Sequence, residues 1–407
     1  MSESESRPLT ASWALYDRAR ELIPMATQTH SKAPREALRG VEPCYLVRGS
    51  GSHVWDVDGN EYIDYRNGLG PVVLGYCYPA VDQAVRAQLE QGIVFSYPHP
   101  LEVEVAERLV SVIPCAESVR YLKTGGEAMA ATHRLARGYT GRDLIVSCGY
   151  HGWLNTMSKP GQPEAVRSVY RDLPWGDVTP YETVLREESV AAVSVACAYA
   201  DIEAGHQFLP RLRQLTQEHG ALLIFDEIVT GFRLHRAGAQ GYFGVTPDLA
   251  VFAKALSNGV PLSCFCGRRD VMAAVQEVVV SSTFGGDTLG LAAARAVLDL
   301  YAVEDVVGQL WARGRQLHAG FERLCETLSV DAGFRGVPPL GQLGFHYPDA
   351  QRNGELFLRF NAELLRRGVI IYTVCYPNYS HTPRDIDDTL TAMDESLRTM
   401  QAEGLFD

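Results

Sequence analysis

A chain of 407 residues, 46% apolar and 21% charged, can build a large core of two or three layers. Its 37 basic against 49 acidic residues leave a net charge of −12, which argues against a nucleic-acid surface and suits a cationic small substrate. No apolar run approaches 20 residues, so no membrane span is expected, and the opening MSESESRPLT lacks the apolar stretch of a signal peptide.

The nine cysteines form an odd, scattered set without a CxxC pair. They read as reduced, buried thiols of a cytoplasmic protein. Cys264 and Cys266 on one strand leave no room for a second ligand pair, so no metal site is expected.

In chain order, residues 1–10 are expected to be disordered and 12–22 to form a short amphipathic helix. Residues 23–43, rich in Pro, Thr and basic side chains, read as an irregular arm. Residues 45–65 alternate around DVDGNEY, which predicts a small antiparallel unit with a Gly turn. A calcium loop is excluded there: with Asp56 in the first position, Glu61 stands where the sixth must be Gly. The Gly-rich NGLGP at 67–71 has no following Lys-Ser/Thr, so it is not a nucleotide P-loop. Helices are expected at 80–91 and 101–113, around an aromatic loop, FSYPH, at 95–99.

A strand at 119–123 runs through Thr124-Gly125-Gly126-Glu127-Ala128 into a helix at 129–139. Strand, Gly pair and helix start make an anion site from free amides and the helix dipole. The strand 144–148 ends at Gly149-Tyr150-His151-Gly152-Trp153. Another strand at 190–196 and a helix at 209–218 follow. Next come two apolar runs, 221–225 and 249–253, each ending in a charge: Asp226 and Lys254. Such runs read as buried parallel strands, whose carboxyl ends bind ligands. One carboxylate and one amine thus reach the same sheet edge. For either group alone a structural ion pair is the plain alternative. After Lys254, however, ALSNGVP is small and turn-rich, leaving room for a flat ligand. A desolvated Lys loses proton affinity and becomes a nucleophile toward an aldehyde. An Asp opposite keeps a pyridine nitrogen protonated, which together is what pyridoxal 5'-phosphate requires. A helix at 289–300 leads toward the C-terminal part, where helices at 307–328 and 355–367 and strands at 340–347 and 369–372 are expected; residues beyond about 300 read as a docking domain without chemistry.

DEIVTGFR, with the Lys of FAKALSNG 28 residues after its Asp, closely resembles the class III pyridoxal-phosphate aminotransferases. WDVDGNEYIDY adds to the resemblance, which covers nearly the whole chain. The nearest subgroup is that of the glutamate-1-semialdehyde aminomutases and the sugar aminotransferases of aminoglycoside antibiotic pathways. The resemblance implies an α/β fold of type I: a mostly parallel seven-stranded sheet between helices, a small α+β C-terminal domain and an N-terminal arm. The division expected is 1–66, 67–300 and 301–407. It implies Lys254 as Schiff-base lysine and Asp226 as partner of the ring nitrogen. Thr124, Gly125, Gly126, Glu127, Tyr150, His151, Ile228 and Thr283 join them around the cofactor. Tyr150 is expected on one face of the ring and Ile228 on the other. Thr283 is expected to reach the partner's cofactor phosphate in an obligatory homodimer. Arg35, Tyr97 and Trp153 are the candidate substrate contacts.

Three departures from the family pattern stand out. Gly126 replaces a hydroxyl residue, Asp287-Thr288 replaces the usual Asn-Pro, and Ala196-Cys197 replaces the Glu-Pro whose Glu pairs with a switching Arg. The last puts an ordinary 2-oxoglutarate half-reaction in doubt, as does the lack of a C-terminal Arg for an α-carboxylate. The expected activity is therefore transamination of a primary amine or aldehyde on an amino sugar, with an amino acid as co-substrate. The alternative is an aminomutase or epimerase using the same carbanion; a catalytically silent cofactor-binding protein is the third reading.

Overall fold

The computed structural model describes residues 7–156 and 160–406. They fall into two compact units: Pro79–Val307, and the chain as far as Tyr78 joined with everything from Gly308.

Pro79–Val307 is built on a seven-stranded sheet. From edge to edge its order is Ser118–Leu122, Ser263–Gly267, Leu249–Phe252, Leu222–Asp226, Val190–Val195, Leu144–Cys148 and Tyr170–Asp172. All neighbours pair in parallel except Ser263–Gly267, which runs antiparallel to both of its own. The middle strands are buried along their whole length. That is why they read as unbroken apolar runs rather than as alternating ones. The helix Gly125–Thr140 covers one face, setting Ala128, Met129 and Leu135 against Ile145, Ile224, Val251 and Phe265. Among the described residues no helix is long and apolar enough to cross a membrane.

In the other unit Leu46–Ser50, His53–Asp56 and Glu61–Asp64 form the expected antiparallel turn. A fourth strand joins from far along the chain: Val369–Ile370 pairs in parallel with Glu61–Asp64. Tyr65, Phe321, Phe360 and Met393 meet in this unit's core. Several expected bounds shift. Thr10 already opens the first helix, Thr10–Leu22, while residues 1–6 of the stretch expected to be disordered lie outside the described residues. The strand expected at 340–347 shrinks to Gln342–Phe345, after a helical turn at Pro338–Leu340. The one at 369–372 keeps only two residues.

The last helix, Pro383–Ala402, begins in a cap that ties the two sequence ends of this unit together. Thr382 and Asp385 exchange side chain-to-amide hydrogen bonds, and Asp385 also accepts from Ser52 Oγ at 2.9 Å and His53 Nε2 at 3.1 Å. Burial opposes the Asp385 charge, but these donors, His53 first, outweigh it and hold the carboxyl well below its usual range. The same bond raises His53, against its own partial burial. Asp385 therefore stabilises fully above its unfolded pKa of about 3.9 and less as pH falls through its lower folded value. His53 stabilises fully below about 6.5 and loses its share as pH rises through its raised folded value. Asp385→Ala is expected to cost about 2–4 kcal/mol in urea melts. His53→Gln should remove the part of the stability loss seen above pH 6.5.

Candidate active site

Lys254 lies two residues past the strand end at Phe252 and opens the turn Lys254–Ser257 with φ +48°, a left-handed conformation that β-carbon sterics disfavour. Such strain persists where the surroundings fix it. Burial pushes the Lys254 amine down to about 8, opposing which is the attraction of the nearby Asp226. Among the described residues none accepts a hydrogen bond from Nζ. The group is a partly desolvated amine held free for a ligand.

Asp226 ends the neighbouring strand and is 7% exposed. Its Oδ1 accepts the amide of Ile228 at 3.1 Å, and its Oδ2 lies 2.8 Å from His151 Nδ1. His151 is buried, with Nε2 3.3 Å from the carbonyl of Ser194. Behind it His133 reaches Ser194 Oγ at 3.1 Å and presents its edge to the His151 ring at 90°. Burial, then the neighbouring His151, pushes His133 far down, so it stays neutral. His133 and Ser194 carried no signal in the sequence, since each looks like an ordinary residue of a buried element. The adjacent Glu227 faces away. Burial raises it to about 6, and it accepts the amides of Ala239 and Gln240 and the hydroxyl of Thr230. Strand alternation gives two adjacent carboxylates two different tasks.

At the start of the helix Gly125–Thr140, Thr124 and Glu127 form a capping box: the Thr124 amide donates to Glu127 Oε2 at 2.8 Å. Glu127, expected at the cofactor, is thereby occupied with the cap. The helix starts four residues earlier than expected because the cap lies before the Gly pair. The Gly125 and Gly126 amides, in the first turn, have no intrahelical acceptor. Space around the two differs. A Cβ on Gly125 would come within 2.4 Å of Ile228 Cδ1, whereas one on Gly126 would meet nothing nearer than 3.7 Å. Gly152, at φ +86°, could not carry a Cβ, which would fall 2.8 Å from Gly126 Cα. Asn155 locks the two loops by donating to the carbonyls of Gly126 and His151. Gly125→Ala should therefore displace Ile228 and weaken cofactor binding about tenfold or more, while Gly126→Ser is tolerated; equilibrium dialysis reads both.

Tyr150 and Trp153 lie on the loop after Cys148, 70% and 74% exposed, and Tyr97 is 85% exposed. Thr283 sits in an exposed turn. Asp287, the departure from the usual Asn, caps the helix Thr288–Val303 and pairs with Lys123 at 2.6 Å. Cys197, where the family has the second half of Glu-Pro, is half-buried near Asp226 and Glu227, and desolvation pushes its thiol far up. Arg35 belongs to the other unit and is already engaged: its Nη2 lies 2.8 Å from Glu42 Oε1 and 3.0 Å from Asn361 Oδ1.

These residues fit pyridoxal phosphate. A free amine, an acid oriented by two hydrogen bonds, and two unpaired helix-start amides beside Ile228 match its aldehyde, ring nitrogen and phosphate.

The family model "Aminotransferase class-III" matches residues 37–188 and 185–397. The chain is 34% identical to a glutamate-1-semialdehyde 2,1-aminomutase of Methanothrix thermoacetophila, over 96% of this chain and 97% of that one. It is 31% identical to a 3-aminobutyryl-CoA aminotransferase of Cloacimonas acidaminovorans, over 97% and 98%. Among solved structures, the PLP internal aldimine form of the FumI protein of Sphingopyxis sp. MTA144 superposes with a TM-score of 0.89, at 26% identity and 97% coverage of both chains. The expected fold of type I is thus present, with its seven-stranded sheet and helices on that sheet. The chain belongs to the class-III aminotransferase family and is a pyridoxal-phosphate enzyme.

Proposed function

We propose that Lys254 and Asp226 carry amino-group transfer on a substrate whose amine is not α to a carboxylate. The observation behind this is the partly buried Lys254 amine, without an acceptor, at the same sheet edge as an oriented Asp226. Pyridoxal phosphate, when bound, supplies the carbonyl that takes up the amine and the ring that accepts an electron pair. Lys254 holds the cofactor, then, once released, moves the proton at the reacting carbon as a general base. Asp226 holds the proton on the ring nitrogen. The Gly125 and Gly126 amides hold the phosphate, Tyr150 and Ile228 the two ring faces. The lack of Glu at Ala196-Cys197 supports a substrate outside the usual α-amino acid pairs.

Two substrate classes meet this description. An amino sugar suits the acidic chain and the exposed aromatic Phe95 and Tyr97. An aminomutase substrate, moving its amine within one molecule, is favoured by the 34% identity to an aminomutase and is the second reading. Incubation with a ¹⁵N-labelled amino donor separates them: label enters the product in transamination and stays with the donor in isomerisation. No exchange and no isomerisation of any amine would sink both.

We further propose a homodimer. Val94, Phe95, Tyr97, Val279 and Phe284 are large apolar side chains 45% to 85% exposed in Pro79–Val307, and Thr283 lies among them in sequence. Covering them with a second copy removes that surface from water. The nine cysteines, all free, support a cytoplasmic site of action.

A further inference from the structure

We propose that a second cavity in Pro79–Val307, at the amino ends of the parallel strands, binds a small compound with a carboxylate or phosphate head, gripped by Arg213. The cavity measures about 590 Å³. Its wall includes Leu222, which opens the strand Leu222–Asp226, and Asp248, which precedes the strand Leu249–Phe252. Asp226 closes the first of these strands and Lys254 follows the second. At the usual rise per residue, Leu222 and Asp226 are about 13 Å apart. The cavity thus lies at the opposite edge of the sheet from the Lys254 site.

Most charged groups on its wall are already used. Asp248 accepts Arg213 Nη1 at 2.7 Å, Arg268 Nη1 at 2.8 Å and the Leu223 amide at 2.8 Å. Arg268 turns its other nitrogens to the Asp270 carboxylate. Glu117 accepts the Arg269 amide at 2.9 Å. Arg213 is the exception. Its side chain is only 16% exposed, and its Nε is buried without a hydrogen-bond partner. With Nη1 on Asp248, the edge formed by Nε and Nη2 meets no acceptor among the described residues. Gln217 follows four residues later in the helix Gly205–Glu218, on the same face, and also lines the cavity.

A buried guanidinium N–H without an acceptor costs stability rather than adding any. Nε–H and one Nη2–H run parallel, so two oxygens of one carboxylate or phosphate meet both at once. Asp248 is divided between two guanidiniums, which leaves the Arg213 charge only partly answered. The Gln217 amide supplies a further donor, and Pro114, Leu222 and Pro247 offer apolar wall to a compact body. Arg213 therefore serves the fold through Nη1 and a ligand through its other edge. The inference does not depend on the Lys254 chemistry.

The test is calorimetric titration of the holoenzyme with benzoate and, separately, with phenyl phosphate, in a phosphate-free buffer at fixed ionic strength. The two probes share a body and differ in the head. At least one is expected to bind at one site per chain, and the tighter of the two identifies the head group. The absorbance of the bound cofactor should stay unchanged throughout, because a ligand beside Lys254 would shift it and one at the far edge of the sheet does not touch it. Arg213→Lys keeps a charge for Asp248 but has no paired edge, and should weaken the binding about tenfold or more. Gln217→Leu, at an exposed position, leaves the fold intact and should weaken it about threefold. Three results would overturn the proposal: no saturable binding of either probe, binding that shifts the cofactor band, or binding at full strength in Arg213→Lys. Should Arg213→Lys fail to fold, full-strength binding by Gln217→Leu overturns it instead.

Discussion

Lys254→Ala abolishes amino transfer and the visible absorbance of bound cofactor together. Loss of the general base alone is worth about 10²–10⁴ in rate, and loss of the nucleophile adds to it. Small primary amines supplied in solution should restore part of the turnover, because the pocket that desolvated Lys254 remains. The lowered pKa has its own signature in the cofactor-free protein. An amine must be neutral to attack an aldehyde. With its pKa lowered to about 8 from 10.5, about a tenth of Lys254 is neutral at pH 7. That is about 300 times the fraction of an unperturbed lysine. The rate of covalent loading should rise about tenfold per pH unit below 8 and level off above it. A plateau only above pH 10 would mean that burial does not tune this amine. Retention of the cofactor band in Lys254→Ala would mean that another residue holds it.

Asp226→Asn separates electronic from anchoring roles. Asn keeps an oxygen for the Ile228 amide and a polar group beside His151, so the local hydrogen bonds persist. What it loses is the charge that holds a proton on the ring nitrogen. The rate is expected to fall about 10²–10³-fold, the scale of removing one preorganised electrostatic partner in an active site. Cofactor affinity should change by less than about tenfold, since the phosphate and Lys254 contacts remain. Parallel losses in rate and affinity would make Asp226 a structural residue. Removing the acid side chain altogether, as Ala, should also destabilise the protein by about 1–3 kcal/mol, because buried His151 then loses a partner.

The chemistry was legible because it sits on signals that are local. An unbroken apolar run ending in Asp226 and another ending in Lys254 mark two buried strands, and strand ends in a parallel sheet point to one edge. The Gly pair at a helix start was equally plain. Where local signals were weak, the bounds were off: the two-residue strand Val369–Ile370 is defined by its pairing with Glu61–Asp64 and hardly by its own composition. Glu127 looked like a ligand contact because sequence cannot show whether a carboxylate is already used by a cap.

The sequence by itself determined which elements form, that they enclose a pyridoxal-phosphate site, and that Lys254 and Asp226 meet there, because hydrophobic period and turn chemistry act over a few residues. Only the tertiary structure decided what stands behind and around those groups. His151 on Asp226, Ser194 between His151 and His133, Asp287 on Lys123 and Glu42 on Arg35 are pairings set by packing. So too is the buried Nε of Arg66, which has no hydrogen-bond partner among the described residues. Such contacts join residues up to hundreds of positions apart, and which polar group satisfies which depends on where the folded backbone places them.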